Sequence, residues 1–155
     1  MEKMQSVQGI VLKISRIYGQ TAEDREDLFQ EIVLNAWKSY GGFRGNAKFS
    51  TWLYRVALNT ALMHKRHSAS RMATTLELHH DIRDHESTLP EDTRILYQAI
   101  DHLNPVEKSL VILYLEDMSY QEIAEVLGIS EGNVGVKLLR TKEKLKKILK
   151  SYGIG

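Results

Sequence analysis

Residues 119–134 read SYQEIAEVLGISEGNV, and this stretch decides the fold of the C-terminal half of the chain. Ser119 opens a capping-box sequence for one helix, and Ser130 is placed to cap a second. Gly128 stands in the turn between them, where a positive φ angle is needed, and Val134 is placed to clamp the second helix. The spacing predicts a helix-turn-helix, with an ordinary antiparallel helix pair as the alternative.

A basic segment begins inside the second helix of this motif. Residues 132–155 carry seven basic side chains and one acidic one, whereas residues 96–131 carry one basic and seven acidic. A charge run is usually a solvated helix face. Behind a helix-turn-helix, however, a basic run is typical of contact with the phosphates of DNA, so the segment predicts DNA binding.

Helical periodicity and caps extend this fold to the rest of the chain. Asn104-Pro105-Val106-Glu107 is a second capping-box sequence, with Pro at the first helical position. The first 66 residues predict three helices, with stops or caps at Gly19 and Thr21 and a third helix ending near Arg66. Residues 67–90 lose the period and become acidic, which indicates a flexible linker. We therefore predict an all-α protein: two small helical bundles, residues 1–66 and 91–155, joined by that linker, the second containing the helix-turn-helix.

Two neighbouring apolar stripes run along the second helix. One stripe is Leu28, Ile32 and Ala36, and the other is Phe29, Val33 and Trp37. Together they predict a wide buried face.

The composition excludes several classes of protein. The 155 residues contain no Cys, which excludes a disulfide scaffold, a thiolate zinc site and a cysteine nucleophile. No segment has the pattern of a secretory signal or a membrane span, so we expect a cytoplasmic protein. No phosphate-binding glycine loop, nucleophile elbow or catalytic carboxylate pair is present, so we expect neither enzymatic activity nor a cofactor.

One cluster of potential metal ligands raises the alternative of a metal-binding protein. His79-His80-Asp81, Asp84 and His85 lie within the predicted linker. No surrounding residues are placed to hold them as a site, so we favour a solvated linker over a metal protein.

Three stretches of the N-terminal half, together with the helix-turn-helix, resemble a known family. Residues 24–37 (DREDLFQEIVLNAW), 43–45 (FRG) and 49–61 (FSTWLYRVALNTA) are similar to the second conserved region of bacterial extracytoplasmic-function (ECF) sigma factors. Residues 119–134 are similar to the fourth. The resemblance covers nearly the whole chain and implies promoter-specific initiation with core RNA polymerase and promoter DNA as partners.

The resemblance implies a docking surface on the second helix. In such sigma factors the matching helix binds the clamp helices of the polymerase β′ subunit, and region 4 meets the β flap. The residues it assigns to core polymerase binding lie away from the buried stripes: Asp27, Gln30, Glu31, Leu34 and Lys38.

The resemblance also places the minus-ten element on residues 43–66, a stretch that contains both aromatic and basic side chains. Such side chains suit flipped bases and a strand backbone. Trp52 is expected to be core rather than a base contact. The residues assigned to minus-ten DNA are Arg44, Asn46, Lys48, Ser50, Tyr54, Arg55 and Asn59.

The recognition helix departs from the family pattern. The residues assigned to minus-thirty-five DNA are Ser130, Asn133, Lys137, Arg140 and Lys144, but Gly135, Val136 and Leu139 stand where polar side chains are common. They offer few hydrogen-bond donors to the major groove, so the hypothesis is binding through the DNA backbone and shape, with weak sequence choice. Gly135 suggests close approach of a backbone. Promoter choice is then expected to come either from the minus-ten pocket or from a second DNA-bound protein that recruits this factor through an exposed apolar patch of Val136 and Leu139.

Two further interpretations complete the predictions. Family members are often held inactive by an anti-sigma factor, which makes such a protein an expected class of partner. The competing function is a stand-alone helix-turn-helix regulator that does not require core polymerase.

Overall fold

The structure is a computed structural model that describes residues 2–45, 48–74 and 90–153. Within these ranges the regular structure is helical throughout, with seven α-helices and one 3₁₀ turn. The chain divides into two compact units, residues 1–83 and 84–155. The predicted fold class, two small helical bundles with a helix-turn-helix in the second, is confirmed.

Three helices and the 3₁₀ turn form the first unit: α1 (Glu2–Tyr18), α2 (Ala22–Ser39), the turn Tyr40–Gly42 and α3 (Phe49–Thr74). Gly19 ends α1 as predicted. A Cβ atom added to Gly19 would lie 2.5 Å from Cγ of Arg25 and 2.7 Å from the carbonyl oxygen of Ser15, so no larger residue fits this turn without a shift. Thr21 caps α2, its hydroxyl accepting a hydrogen bond from the amide of Asp24 at 3.0 Å.

Each helix of the first unit packs on the other two. The core is formed by side chains that are 3% exposed or less: Val11, Ile14, Ile17, Tyr18, Leu28, Ile32, Leu53, Tyr54, Ala57, Leu58 and Ala61. Helix α3 continues to Thr74, eight residues beyond its predicted end at Arg66. The reason is that residues 67–74 contain neither Gly nor Pro, the residue types that most often end a helix.

Four helices form the second unit: α4 (Glu91–Asp101), α5 (Pro105–Leu115), α6 (Tyr120–Leu127) and α7 (Glu131–Ser151). Both predicted capping boxes are present, one at Asn104 before α5 and one at Ser119 before α6. Gly128 has the left-handed conformation, with φ 69°, and ends α6 as predicted. Helix α7 packs on α4, α5 and α6, and buries Val134 and Leu138 completely.

Candidate protein and nucleic-acid surfaces

The outer face of α2 presents the residues that the sequence assigns to core polymerase docking. Asp27, Gln30, Leu34 and Lys38 are exposed, and Glu31 is partly exposed. Their spacing of three and four residues places them on one side of the helix. The side chain of Leu34 is 51% exposed, so an apolar group stands among the polar ones.

Val33 and Trp37 belong to this outer face as well, and the prediction that they are buried is wrong. Trp37 is 82% exposed and Val33 is 42% exposed. Helices α1 and α3 cover α2 along the side that carries Leu28 and Ile32, which are fully buried. At about 100° of rotation per residue, Val33 and Trp37 turn out of that contact. The docking face, as we use the term below, comprises Asp27, Gln30, Glu31, Val33, Leu34, Trp37 and Lys38.

A histidine from α3 reaches across to two carboxylates of α2. Nε2 of His64 lies 2.6 Å from Oδ1 of Asp24, and its Nδ1 lies 3.0 Å from Oε2 of Glu31. The imidazole is 17% exposed, whereas the Glu31 side chain is 44% exposed and lies on the docking face. Both nitrogens donate hydrogen bonds only when the ring is protonated, so the arrangement favours the imidazolium.

Opposing effects set the pKa values of this group. Burial alone would lower the pKa of His64, but the hydrogen bonds and negative charges of Asp24 and Glu31 outweigh it and raise that pKa above the ordinary 6.5. Burial would likewise raise the pKa of Asp24. Its bonds with His64 and with the amide of Gln20, and the charges of His64 and Lys65, lower that pKa below 3.8 instead.

These shifts give the protein a pH-dependent stability. Because the pKa of His64 is higher in the folded state, its contribution is complete below about pH 6.5 and is lost as the pH rises through the raised value. The contribution of Asp24 is lost only as the pH falls through its lowered pKa. We expect the melting temperature to decline as the pH rises above about 6.5 and through the raised pKa of His64, and His64→Gln to flatten that decline. Identical pH profiles for the two proteins would contradict the assignment.

A second surface lies at the start of α3. Arg44, Lys48, Ser50, Arg55 and Asn59 are exposed. Arg55 and Asn59 are one helical turn apart and therefore point to the same side. Of the residues that the sequence assigns to minus-ten DNA, Asn46 lies outside the described residues.

Tyr54 does not belong to this surface, which corrects its assignment to minus-ten DNA. Its side chain is 2% exposed and lies in the core with Leu53 and Leu58. The reason is that α3 packs against both α1 and α2, so its buried face is wide enough to include position 54.

Four aromatic rings connect the end of α2 to the start of α3. Phe43 lies 5.4 Å from Trp52 and 5.8 Å from Phe49, centroid to centroid, and Tyr40 lies 6.1 Å from Trp52. Trp52 is only partly buried, at the edge of the core. These ring contacts hold the segment just before Arg44 against the first turn of α3.

The helix-turn-helix presents the third surface. Ser130, Asn133, Lys137 and Arg140 are exposed on α7 or at its cap, and the hydroxyl of Ser130 accepts a hydrogen bond from the amide of Asn133 at 3.2 Å. These residues share the N-terminal half of the second helix. In a helix-turn-helix this is the part that approaches base edges.

Lys144, also assigned to minus-thirty-five DNA, has a partner within the protein. Its Nζ lies 2.9 Å from Oε1 of Glu107. Burial would raise the pKa of Glu107, but the hydrogen bond from the amide of Asn104 and the contact with Lys144 lower it. A phosphate contact by Lys144 would therefore compete with this ion pair.

The atoms nearest to Gly135 outside its own helix belong to a side chain and not to a backbone. A Cβ atom at this position would lie 3.6 Å from Cε2 of Tyr120, and no backbone atom lies within 4 Å of it outside its own helix. The predicted close approach of a backbone is thus absent among the described residues. Tyr120, at the first turn of α6, lies beside the recognition helix at an ordinary van der Waals distance from such a Cβ, so an alanine would fit at position 135.

No metal or membrane site emerges from the part of the chain that the structure describes. Within those ranges no three His, Cys, Asp or Glu side chains are grouped so as to hold a metal ion. No helix there is long and apolar enough to cross a bilayer. The histidine and aspartate residues at positions 79–85 lie outside the described residues.

Comparison with known families gives two matches, in the same order as the two units. Residues 4–71 match Sigma-70 region 2, and residues 88–145 match Sigma-70, region 4. Two solved structures share the fold. One is the sigma factor RpoE in complex with the anti-sigma factor NepR from Bartonella quintana, with a TM-score of 0.77, 17% identity and coverage of 96% of this chain and 94% of that one. CnrH in complex with the cytosolic domain of CnrY gives a TM-score of 0.63 at 21% identity, covering 93% and 82%.

Relatives of known role share more of the sequence. The RNA polymerase sigma-H factor of Pseudomonas aeruginosa is 32% identical over 145 residues, 83% of this chain and 74% of the relative. The ECF RNA polymerase sigma factor SigW of Bacillus subtilis is 31% identical over 151 residues, 87% and 80%. The ECF RNA polymerase sigma-E factor of Haemophilus influenzae is 30% identical over 139 residues, 79% and 73%. With both regions matched in order, the chain belongs to the extracytoplasmic-function family of RNA polymerase sigma factors.

Proposed function

We propose that this chain binds core RNA polymerase in the cytoplasm and directs it to specific promoters, opening the minus-ten element with its first unit. The observation that carries the proposal is the docking face. Single exposed apolar side chains are common on protein surfaces, but α2 exposes three together, Val33, Leu34 and Trp37, beside acidic and amide groups. The proposed domains are residues 1–66 for docking and melting, 67–90 as linker and 91–155 for upstream DNA.

The docking face suits the β′ clamp helices as its partner. Trp37 and Leu34 supply apolar anchors, and Asp27, Gln30 and Lys38 supply a polar rim. Interfaces commonly combine a few aromatic or aliphatic anchors with surrounding polar groups that fix register. The second unit is proposed to meet the β flap, as in the family.

Minus-ten DNA is proposed to bind the exposed side of α3 and the loop before it. Arg44, Lys48 and Arg55 offer charge to a strand backbone, and Ser50 and Asn59 offer hydrogen bonds to bases. Asn46 remains part of the proposal as a loop residue. The aromatic cluster of Tyr40, Phe43, Phe49 and Trp52 supports the loop and is not itself proposed to stack on bases.

Upstream DNA is proposed to bind the recognition helix mainly through phosphates. Lys137 and Arg140 are exposed cations, and Ser130 and Asn133 lie at the positive end of the helix dipole. Sequence choice at this element is expected to be weak because few donors face the groove. Lys144 contributes only if its ion pair with Glu107 opens.

An anti-sigma factor is a proposed class of regulator. The support is that the sigma factor RpoE, which has the same fold, was solved in complex with the anti-sigma factor NepR. CnrH, also of this fold, was solved in complex with the cytosolic domain of CnrY. A second DNA-bound protein that recruits this factor through Val136 and Leu139 stays an alternative occupant of that patch.

The experiment is in vitro transcription with core polymerase on a library of genomic fragments, with and without this chain. We expect transcripts that start from a defined set of promoters only when both proteins are present. A stand-alone regulator would instead bind DNA specifically without core polymerase and would not co-purify with it. A sharp upstream consensus at several base pairs would contradict the weak sequence choice proposed for region 4.

A further inference from the structure

The outward side of the recognition helix can be located from its buried side. Val134, Leu138 and Thr141 are 2% exposed or less and define the side that faces α4, α5 and α6. At about 100° per residue, position 136 lies opposite that buried side, and position 139 lies beside position 136 on the outward side. Val136 is 52% exposed and Leu139 is 61% exposed, in agreement with this placement.

Apolar surface therefore occupies the part of the helix that would face a base edge. Gly132, one turn before Val136, is exposed and has no atom within 4 Å of the position of a Cβ, so it adds no side chain there. Gly135 lies one turn before Leu139, and the side chain of Tyr120, which is 42% exposed, lies beside it. We call Tyr120, Gly135, Val136 and Leu139 the apolar reading surface.

Charge beside this surface indicates what occupies it. Lys137 and Arg140 are exposed and flank Val136 and Leu139 in the sequence of the same helix. The amide groups of the first turn of α7 add partial positive charge at one end. A cationic border complements a polyanion, which favours a DNA duplex over the apolar face of a recruiting protein.

Only one apolar group is displayed in the major groove of DNA, the C5-methyl of thymine. We propose that Val136 and Leu139 read thymine methyl groups in the upstream promoter element. The inference rests on the proposed function, because it requires the second unit to bind upstream DNA. It also gives that binding a narrow form of sequence choice, for thymine over the other bases, without any hydrogen bond to a base.

The test replaces thymine with deoxyuridine in the upstream half of a promoter obtained by the transcription experiment. Deoxyuridine keeps every hydrogen-bonding group of thymine and removes only the methyl. Holoenzyme binding is measured by fluorescence anisotropy for single and paired replacements on either strand. We expect one or two positions at which affinity falls about fourfold, because the burial of one methyl group, worth about 0.8 kcal/mol, is lost. Introducing 5-methylcytosine in place of cytosine elsewhere in the element should leave affinity unchanged.

Variants identify the residues responsible without relying on a change in fold. Val136→Ala and Leu139→Ala are surface substitutions and should weaken binding to thymine DNA while reducing the discrimination against deoxyuridine DNA. Lys137→Gln should weaken binding to both DNAs equally, because it removes a phosphate contact.

Two results would overturn the inference. One is equal affinity for thymine and deoxyuridine at every upstream position. The other is a loss of transcription in Val136→Ala and Leu139→Ala with the deoxyuridine effect unchanged, which would point to a protein on this surface. Failure of the proposed function itself looks different, because holoenzyme would then show no promoter-specific binding to either DNA.

Discussion

Replacing Trp37 with alanine should weaken binding of this chain to core RNA polymerase by about 30-fold or more, equivalent to about 2 kcal/mol. The indole is 82% exposed in the free protein and is the largest apolar group of the docking face, near the C-terminal end of α2. Burial of a large aromatic side chain at the centre of an interface is a common source of such an effect. Titration of labelled full-length chain with core polymerase measures the dissociation constant.

A matched control separates docking from a general loss of surface. Leu12→Ala removes a 52% exposed leucine from α1, outside the docking face, and should leave the dissociation constant within about twofold. Leu34→Ala should raise the dissociation constant by less than Trp37→Ala does, because leucine lies on the same face but has a smaller side chain than tryptophan. Comparable affinities for Trp37→Ala and Leu12→Ala would remove Trp37 from the interface.

The largest expected effect on stability lies in the second unit. Leu138→Ala should lower the free energy of unfolding by about 2 to 5 kcal/mol, the range for a large apolar side chain deleted from a packed core. Leu138 belongs to the recognition helix and is fully buried on the side that packs on the rest of the unit. Urea unfolding of the full-length chain, followed by circular dichroism, gives the change.

The neighbouring leucine is the control for this prediction. Leu139 belongs to the same helix but is 61% exposed, so Leu139→Ala should change the free energy of unfolding by no more than about 0.5 kcal/mol. Equal destabilisation by the two substitutions would mean that the orientation of α7 is incorrect.

Local chemistry explains which parts of the fold could be predicted from the sequence. The caps at Thr21, Asn104, Ser119 and Ser130 each depend on a side chain and an amide three residues apart, and all four form as expected. Gly128 similarly needs only its own backbone conformation. Such signals act within one helical turn, so they need no knowledge of the tertiary structure.

Burial was less predictable because it depends on which neighbour covers a helix. The apolar stripe of Phe29, Val33 and Trp37 fits a core by period alone, yet Val33 and Trp37 are exposed and only Phe29 is partly buried. Tyr54 shows the converse error, since an aromatic residue among basic ones was assigned to DNA but is enclosed by three helices. Periodicity gives the width of an apolar face and not its partner.

The contact of His64 with Asp24 and Glu31 joins residues 40 and 33 positions apart. No spacing rule within a helix identifies such a group. A histidine in one helix and two acids seven residues apart on another are compatible with many unconnected arrangements. Only the packing of α3 on α2 brings them together.

The two sides of α2 have a consequence for how this protein can evolve. Substitutions at Leu28 or Ile32 act on folding, and those at Trp37 or Leu34 act on the outer face. Most mutations of the helix therefore affect either stability or partner binding, and the two properties can change independently. His64 is the exception. Because it ties an outer-face carboxylate to α3, a substitution there alters both properties at once, and selection would have to change its two carboxylate partners together with it.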